Sequence, residues 1–148
     1  MSFREEKHFC EVRVRYAETD RMGIAYNGHY LAWFEVGRTE FLRECGFAYH
    51  EMESRGFMLP VVEAGIKYLK PALYDEVLTI RTTLGRKPGA RIHLEYGVLR
   101  NGEQLATGFT EHAFTDTALR PVKPPRDLIG ALRAIWKHQS PAPDGTAS

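Results

Sequence analysis

Cysteine is scarce in this 148-residue chain: Cys10 and Cys45 stand far apart, in no CxxC pair and with no histidine at zinc spacing, so no metal site is expected. Charge of one sign is also missing. Twenty Lys and Arg against 19 Asp and Glu leave a net charge of +1, too little for a nucleic-acid-binding field. No stretch approaches the ~18 apolar residues of a membrane span. The first residues, MSFREEKHF, are charged where a secretion signal would be apolar, so a reducing, cytoplasmic setting is expected. No glycine-rich phosphate loop or dinucleotide fingerprint is present, which argues against ATP or NAD chemistry. No G-x-S-x-G elbow is present either, which argues against a serine hydrolase. What is there is ordinary for a soluble globular domain, with 43% hydrophobic and 26% charged residues and length enough for one core. A single domain over residues 1–138 is expected, followed by a loose Ser/Pro/Ala-rich tail over 139–148.

The hydrophobic periodicity changes along the chain. From His8 to Tyr16, Cys10, Val12, Val14 and Tyr16 alternate with Glu11, Arg13 and Arg15, which predicts a half-buried strand. Ala17 to Gly28 breaks that pattern and reads as a loop. From His29 to Cys45 the period becomes helical: Tyr30, Phe34, Gly37, Phe41 and Cys45 share a face, widened by Leu31, Trp33 and Leu42, and Gly46 supplies a stop. A short helix over Tyr49 to Arg55 is expected next. Strands follow over Met58 to Leu69, Val77 to Leu84, Ile92 to Val98 and Gln104 to about Thr115, with Asn101-Gly102 as a two-residue hairpin turn. A last helix is expected over Asp127 to Lys137. Strand, long helix, then an antiparallel run of strands specifies an α+β fold and excludes alternating βαβ units.

The densest chemistry lies in Tyr16-Ala-Glu-Thr-Asp-Arg-Met-Gly-Ile-Ala-Tyr-Asn-Gly-His-Tyr30, between the first strand and the long helix. Asp20 stands ahead of a helix N-terminus, where unpaired N–H groups and a partial positive charge can polarise a carbonyl. Two readings are open for it: a catalytic carboxylate, or a residue that caps the turn or helix. Glu63 is a second carboxylate, set in an apolar strand. It either enters a cleft from a neighbouring subunit or faces solvent by strand alternation. Glu35 and Arg38 sit at helical i,i+3 spacing, which predicts a surface ion pair. His93 and His112 fall in strands, as packing or surface residues.

The run Val14-Arg-Tyr-Ala-Glu-Thr-Asp-Arg-Met-Gly-Ile-Ala-Tyr26, with Tyr30-Leu-Ala-Trp-Phe-Glu35, Gly37-Arg38 and Val61-Val-Glu-Ala-Gly-Ile-Lys-Tyr-Leu-Lys-Pro-Ala72, resembles the 4-hydroxybenzoyl-CoA thioesterase family. This group of hot-dog acyl-CoA thioesterases includes the Tol–Pal-associated enzymes. The resemblance runs from residue 8 to about 125. It implies a hot-dog fold, in which a long central helix is wrapped by a curved antiparallel sheet, and hydrolysis of an acyl-coenzyme A to free acid and coenzyme A. It implies that Asp20 is the catalytic carboxylate, as nucleophile or as general base. The backbone N–H of Asn27 would polarise the thioester, and Tyr16, Gly23 and Tyr26 would line the substrate. Members of the Tol–Pal-associated branch carry His where this chain has Asn27, and His29 comes two residues too late to replace it. Coenzyme A carries phosphates, so Arg86, Lys87 and Arg91, around Pro88-Gly89, become candidates for binding them; by themselves they read as a solvated hairpin tip. No cofactor is expected beyond the coenzyme A of the substrate, and self-association to a homodimer or homotetramer is. A non-catalytic acyl-CoA or small-ligand binding protein of the same fold is the competing reading.

Overall fold

The computed structural model of the chain describes residues 2–4 and 7–139, with side chains from residue 7 onward. Among these residues six strands form one antiparallel sheet: β1 (Ser2–Arg4), β2 (Lys7–Arg13), β3 (Val61–Tyr68), β4 (Val77–Leu84), β5 (Arg91–Arg100) and β6 (Glu103–Ala113), in the spatial order β1-β2-β4-β5-β6-β3. The helix α1 (His29–Glu44) lies across one face, and α2 (Tyr49–Ser54) and α3 (Arg126–Gln139) complete the fold.

Alternation decides which side of each strand meets α1. Leu78, Ile80, Thr82 and Leu84 of β4 are buried, as are Ile92, Leu94, Tyr96 and Val98 of β5. From α1 come Tyr30, Trp33, Phe34, Phe41 and Leu42. Removing such side chains from water is the main stabilising term, at roughly 1.5–3 kcal/mol for each large one. Phe34 stacks on Tyr96 with ring centroids 4.3 Å apart and planes within 5°. At the hairpin, Asn101 and Gly102 both take positive φ, 50° and 82°, as a type I′ turn requires. Gly46, at φ 91°, ends the turn that follows α1.

Several details differ from the periodicity reading. β2 ends at Arg13, and Tyr16 belongs to a single 3-10 turn, Tyr16–Glu18, with its side chain exposed; the alternation ran on past the point where β4 stops offering partners. Leu31 is exposed rather than part of the apolar face. The third strand begins at Val61, because Pro60 lacks the N–H that a ladder needs. Gln139, expected to open the loose tail, instead closes α3, where its side-chain oxygen accepts from Leu84 N–H at 3.2 Å and its amide donates to Leu84 C=O. The rest of that tail, 140–148, lies outside the described residues.

The backbone of α1 comes close to the sheet at Gly37. A Cβ there would lie 2.7 Å from Thr82 Oγ1 and 2.8 Å from Ile80 Cγ2. On an exposed helix surface, Gly→Ala stabilises by about 0.5–1 kcal/mol. Gly37→Ala should reverse that sign and destabilise by about 1–3 kcal/mol through overpacking. Urea unfolding checks it, and a variant more stable than the parent would show that α1 does not rest on β4 at this point.

Candidate active site

The loop between β2 and α1 is built around two carboxylates. Asp20 closes its own turn: its Oδ1 accepts from Met22 N–H at 2.8 Å and Ile24 N–H at 3.2 Å, while its backbone N–H donates to Ile24 C=O at 2.9 Å. Gly23 takes φ 75° at the tip of that turn and donates to Asp20 C=O at 3.1 Å. Among the described residues, Asp20 Oδ2 has no hydrogen-bond partner, and the side chain faces solvent. Asp20 therefore does cap something. It caps the loop, and it leaves α1 uncapped.

The helix start is correspondingly open. Gly28 holds the N-cap position, with no side chain to offer. Asn27 C=O accepts from Tyr30 N–H at 3.3 Å and from the Tyr68 hydroxyl at 3.1 Å, so edge strand β3 pins the start of the helix. The N–H groups of Asn27 and Gly28 have no acceptor among the described residues. They stand at the positive end of a sixteen-residue helix dipole. Two open donors beside a carboxylate in one loop are what attack on a carbonyl needs.

Glu18 fixes the relation between the two, and the sequence reading passed over it. Its side chain is buried, with Oε1 accepting from Arg15 N–H at 2.8 Å and Oε2 from the Trp33 indole at 3.1 Å. Its backbone carbonyl accepts from Tyr26 N–H at 2.7 Å. Burial pushes this carboxyl up, but the hydrogen bonds from Arg15 and Trp33 outweigh it and hold the group below its usual range. Two signals for it were available: an Ala-Glu in a loop otherwise rich in exposed polar residues, and a tryptophan on the core face of α1 in need of an acceptor.

The structure brings Asp20, Gly23, Tyr26 and Asn27 into one loop, with Tyr16 at its edge against Tyr74, ring centroids 5.7 Å apart. Glu63, Arg86, Lys87 and Arg91 it places elsewhere. Glu63 sits on β3 opposite Glu111. Arg86 and Arg91 reach Glu111 at 3.2 and 3.3 Å, and His93 donates to the same carboxylate at 3.0 Å. β4 runs from the Asp20 loop, which Tyr74 N–H joins at Gly23 C=O, toward Arg86; its seven steps span about 23 Å. Within one chain the basic residues and the Asp20 loop therefore lie at opposite ends of the sheet.

The expected Glu35–Arg38 ion pair does not form. Arg38 turns inward instead, and its Nε donates to the Tyr49 hydroxyl at 3.1 Å. Its guanidinium also lies close to Tyr96. From Tyr96 the chain of bonds continues to Thr110 Oγ1 at 2.6 Å, then to His112 Nε2 at 2.8 Å, and His112 Nδ1 donates to Leu59 C=O at 3.0 Å. Burial lowers the His112 pKa to about 4, helped by the nearby Arg38 cation, so this ring is neutral at ordinary pH. Among the described residues no cluster of His, Cys, Asp or Glu can hold a metal, and no helix is long and apolar enough to cross a membrane.

Replacing Glu18 by Gln leaves one acceptor oxygen for two buried donors. Glu18→Gln should cost about 1–3 kcal/mol in urea unfolding. In a Trp136→Phe background it should also shift Trp33 emission to the red, as the indole loses its partner. Unchanged emission and stability would show that the clasp does not hold the loop.

With this geometry in view, the relatives are informative. Residues 14–132 match the thioesterase-like superfamily. The acyl-CoA thioesterase YbgC of Haemophilus influenzae is 32% identical over 126 residues, 84% of this chain and 93% of that protein. YneP of Bacillus subtilis is 41% identical over 96 residues, 65% of this chain and 70% of its own length. Among solved structures, the DHNA-CoA thioesterase of Staphylococcus aureus superposes with a TM-score of 0.84 at 31% identity, covering 88% of this chain and 91% of that one. A sheet wrapped on one long helix, an acidic loop ahead of that helix and a match over most of the sequence agree: the chain belongs to the thioesterase-like superfamily of hot-dog proteins.

Proposed function

We propose that this protein is an acyl-CoA thioesterase, which hydrolyses an acyl-coenzyme A to the free acid and coenzyme A. One observation carries the mechanism: the open N–H groups of Asn27 and Gly28 beside the loop that presents Asp20. As the thioester carbonyl is attacked, negative charge develops on its oxygen, and preorganised donors at a helix start stabilise that charge. Asp20 supplies the attack, either directly or by taking a proton from water. The Asn27 carboxamide is a further donor near the carbonyl. The histidine of the Tol–Pal-associated branch is not needed, since the backbone donor does not depend on the side chain. Tyr16, Gly23 and Tyr26 shape the mouth of the site. Coenzyme A enters as part of the substrate, no cofactor takes part, and the cytoplasm is the compartment proposed.

Two copies complete the site on this reading. β3 is an open edge, and Val61 and Val62 on it are exposed. Pairing two β3 strands about a twofold axis closes both edges. Because such pairing is antiparallel, the Tyr68 end of one strand meets the Val61 end of the other. That brings the Asp20 loop of one copy toward Glu63, Arg86, Lys87 and Arg91 of its partner, which are the second carboxylate and the cations for the nucleotide phosphates. Two such dimers make the proposed tetramer. Sedimentation of the active protein should find a dimer or larger, and an active monomer would refute the shared site.

Asp20→Asn preserves the acceptor for Met22 and Ile24 N–H, so folding should be retained while turnover falls roughly a hundredfold or more. Asn27→Ala should cost less. The assay is release of free thiol from a panel of acyl-CoA compounds. Parent-level hydrolysis by Asp20→Asn would transfer the role to Glu63, and binding without thiol release in the parent would favour the non-catalytic reading.

A further inference from the structure

A guanidinium turned into a protein interior normally finds a carboxylate, because an uncompensated cation is costly there. Arg38 has none among the described residues. Its neighbours are the hydroxyls of Tyr49 and Tyr96, which are neutral, and the chain of bonds beyond Tyr96 runs through a neutral His112 to Leu59 C=O. Glu35 and Glu53 lie on the same side of the molecule, but both are exposed and neither pairs with it. Solvated carboxylates are screened and leave the guanidinium largely uncompensated.

Arg38 also forms part of a cleft. A groove of about 320 Å³ runs between α1, α2 and residues 57–60, with Tyr49, Phe57, Met58 and Leu59 as its apolar walls and Arg38, Glu35 and Glu53 as its charged lining. Behind Arg38 a small void of about 10 Å³ separates it from Leu42, Leu94 and Leu132, room for no more than one water. The groove thus combines apolar walls with one guanidinium, while its two carboxylates, Glu35 and Glu53, are exposed to solvent. That is the complement of an apolar stem that ends in a carboxylate, which a guanidinium receives through two parallel hydrogen bonds.

The position of the groove connects it to the reaction. Leu59 and Pro60 lead directly into Val61, the start of β3. When two β3 edges pair, the Tyr68 end of the second copy arrives beside this groove, and Tyr68 is the residue that holds the start of α1 through Asn27 C=O. An acyl group whose thioester sits at the helix start of one copy then extends into the Arg38 groove of the other.

We infer that Arg38 is a specificity-determining residue, which selects acyl-CoA substrates whose acyl group carries a carboxylate at its far end. This rests on the thioesterase reading and on the two-copy site. Arg38 touches no reacting atom, so its effect is on substrate choice.

The test compares matched pairs on the full chain: adipoyl-CoA with hexanoyl-CoA, and 4-carboxybenzoyl-CoA with benzoyl-CoA. The parent should favour the carboxylated member of at least one pair by roughly tenfold or more in kcat/KM, the scale of a charge-assisted hydrogen bond. Arg38→Met should abolish or invert that ratio, and Arg38→Lys should restore part of it, since an ammonium keeps the charge but lacks the fork. A parent that shows no preference in either pair overturns the inference, whether or not Arg38→Met folds. So does a preference that survives in Arg38→Met. If the parent hydrolyses no acyl-CoA, the thioesterase reading fails by itself. The groove is then judged by NMR titration of the parent and Arg38→Lys with free adipate and hexanoate. Adipate should bind the parent more tightly, with the shifts at residues 57–60 and the advantage reduced in the variant; equal or absent binding overturns the site.

Discussion

A buried carboxylate in the wrong place would unfold a protein of this size, and a well-placed one organises it. Glu18 is held by Arg15 N–H on one oxygen and the Trp33 indole on the other, so it ties the loop to the second turn of α1. Asp20, two residues on, can then spend one oxygen on its own turn, and the N–H groups of Asn27 and Gly28, just ahead of α1, remain unclaimed. Had Asp20 capped the helix, the same residues would have stabilised α1 by about a kcal/mol and left nothing to polarise a carbonyl. On the proposed reading, division of labour between the two acids creates the site.

Much of the fold is legible in the sequence because its strands are half-buried. Leu78, Ile80 and Leu84 alternate with Thr79, Arg81 and Thr83, and the sheet uses that alternation as written. Asn101-Gly102 needs positive φ at both positions and finds it. Errors fall where periodicity continues by chance, as at Tyr16, or where one side chain decides, as when the Gln139 amide anchors α3 to the backbone of Leu84. Arg38 is instructive: helical spacing to Glu35 suggested a surface pair, but spacing knows nothing of two tyrosine hydroxyls on other elements. Glu18 was missed for a related reason, although the buried tryptophan on α1 hinted at it. A loop has no period from which burial can be read.

The candidate site divides in the same way. Asp20, Gly23, Tyr26 and Asn27 lie within eight consecutive residues, and a local motif is enough to find them. Glu63 and the cations near Pro88 lie a strand's length away, and one chain gives them no common purpose with Asp20. Arg86 and Arg91 instead share Glu111 with His93, a contact that orders the β4–β5 turn. On the proposed reading that arrangement still suits phosphates, because an arginine has five donors and a single carboxylate engages few of them. Glu111 fixes the two guanidinium groups in place while leaving donors facing outward.

Charge also governs how the proposed reaction ends. Hydrolysis replaces a neutral thioester with a carboxylate beside Asp20, and two like charges at close range disfavour each other. The open amides of Asn27 and Gly28 offset part of that repulsion, since a helix start attracts anions. The balance differs between transition state and product. In the former the developing charge sits on a single oxygen aimed at the donors; in the latter it is shared between two oxygens, one turned toward Asp20. The same loop that stabilises the attack is therefore poorer at holding the acid it makes, which favours turnover over product retention.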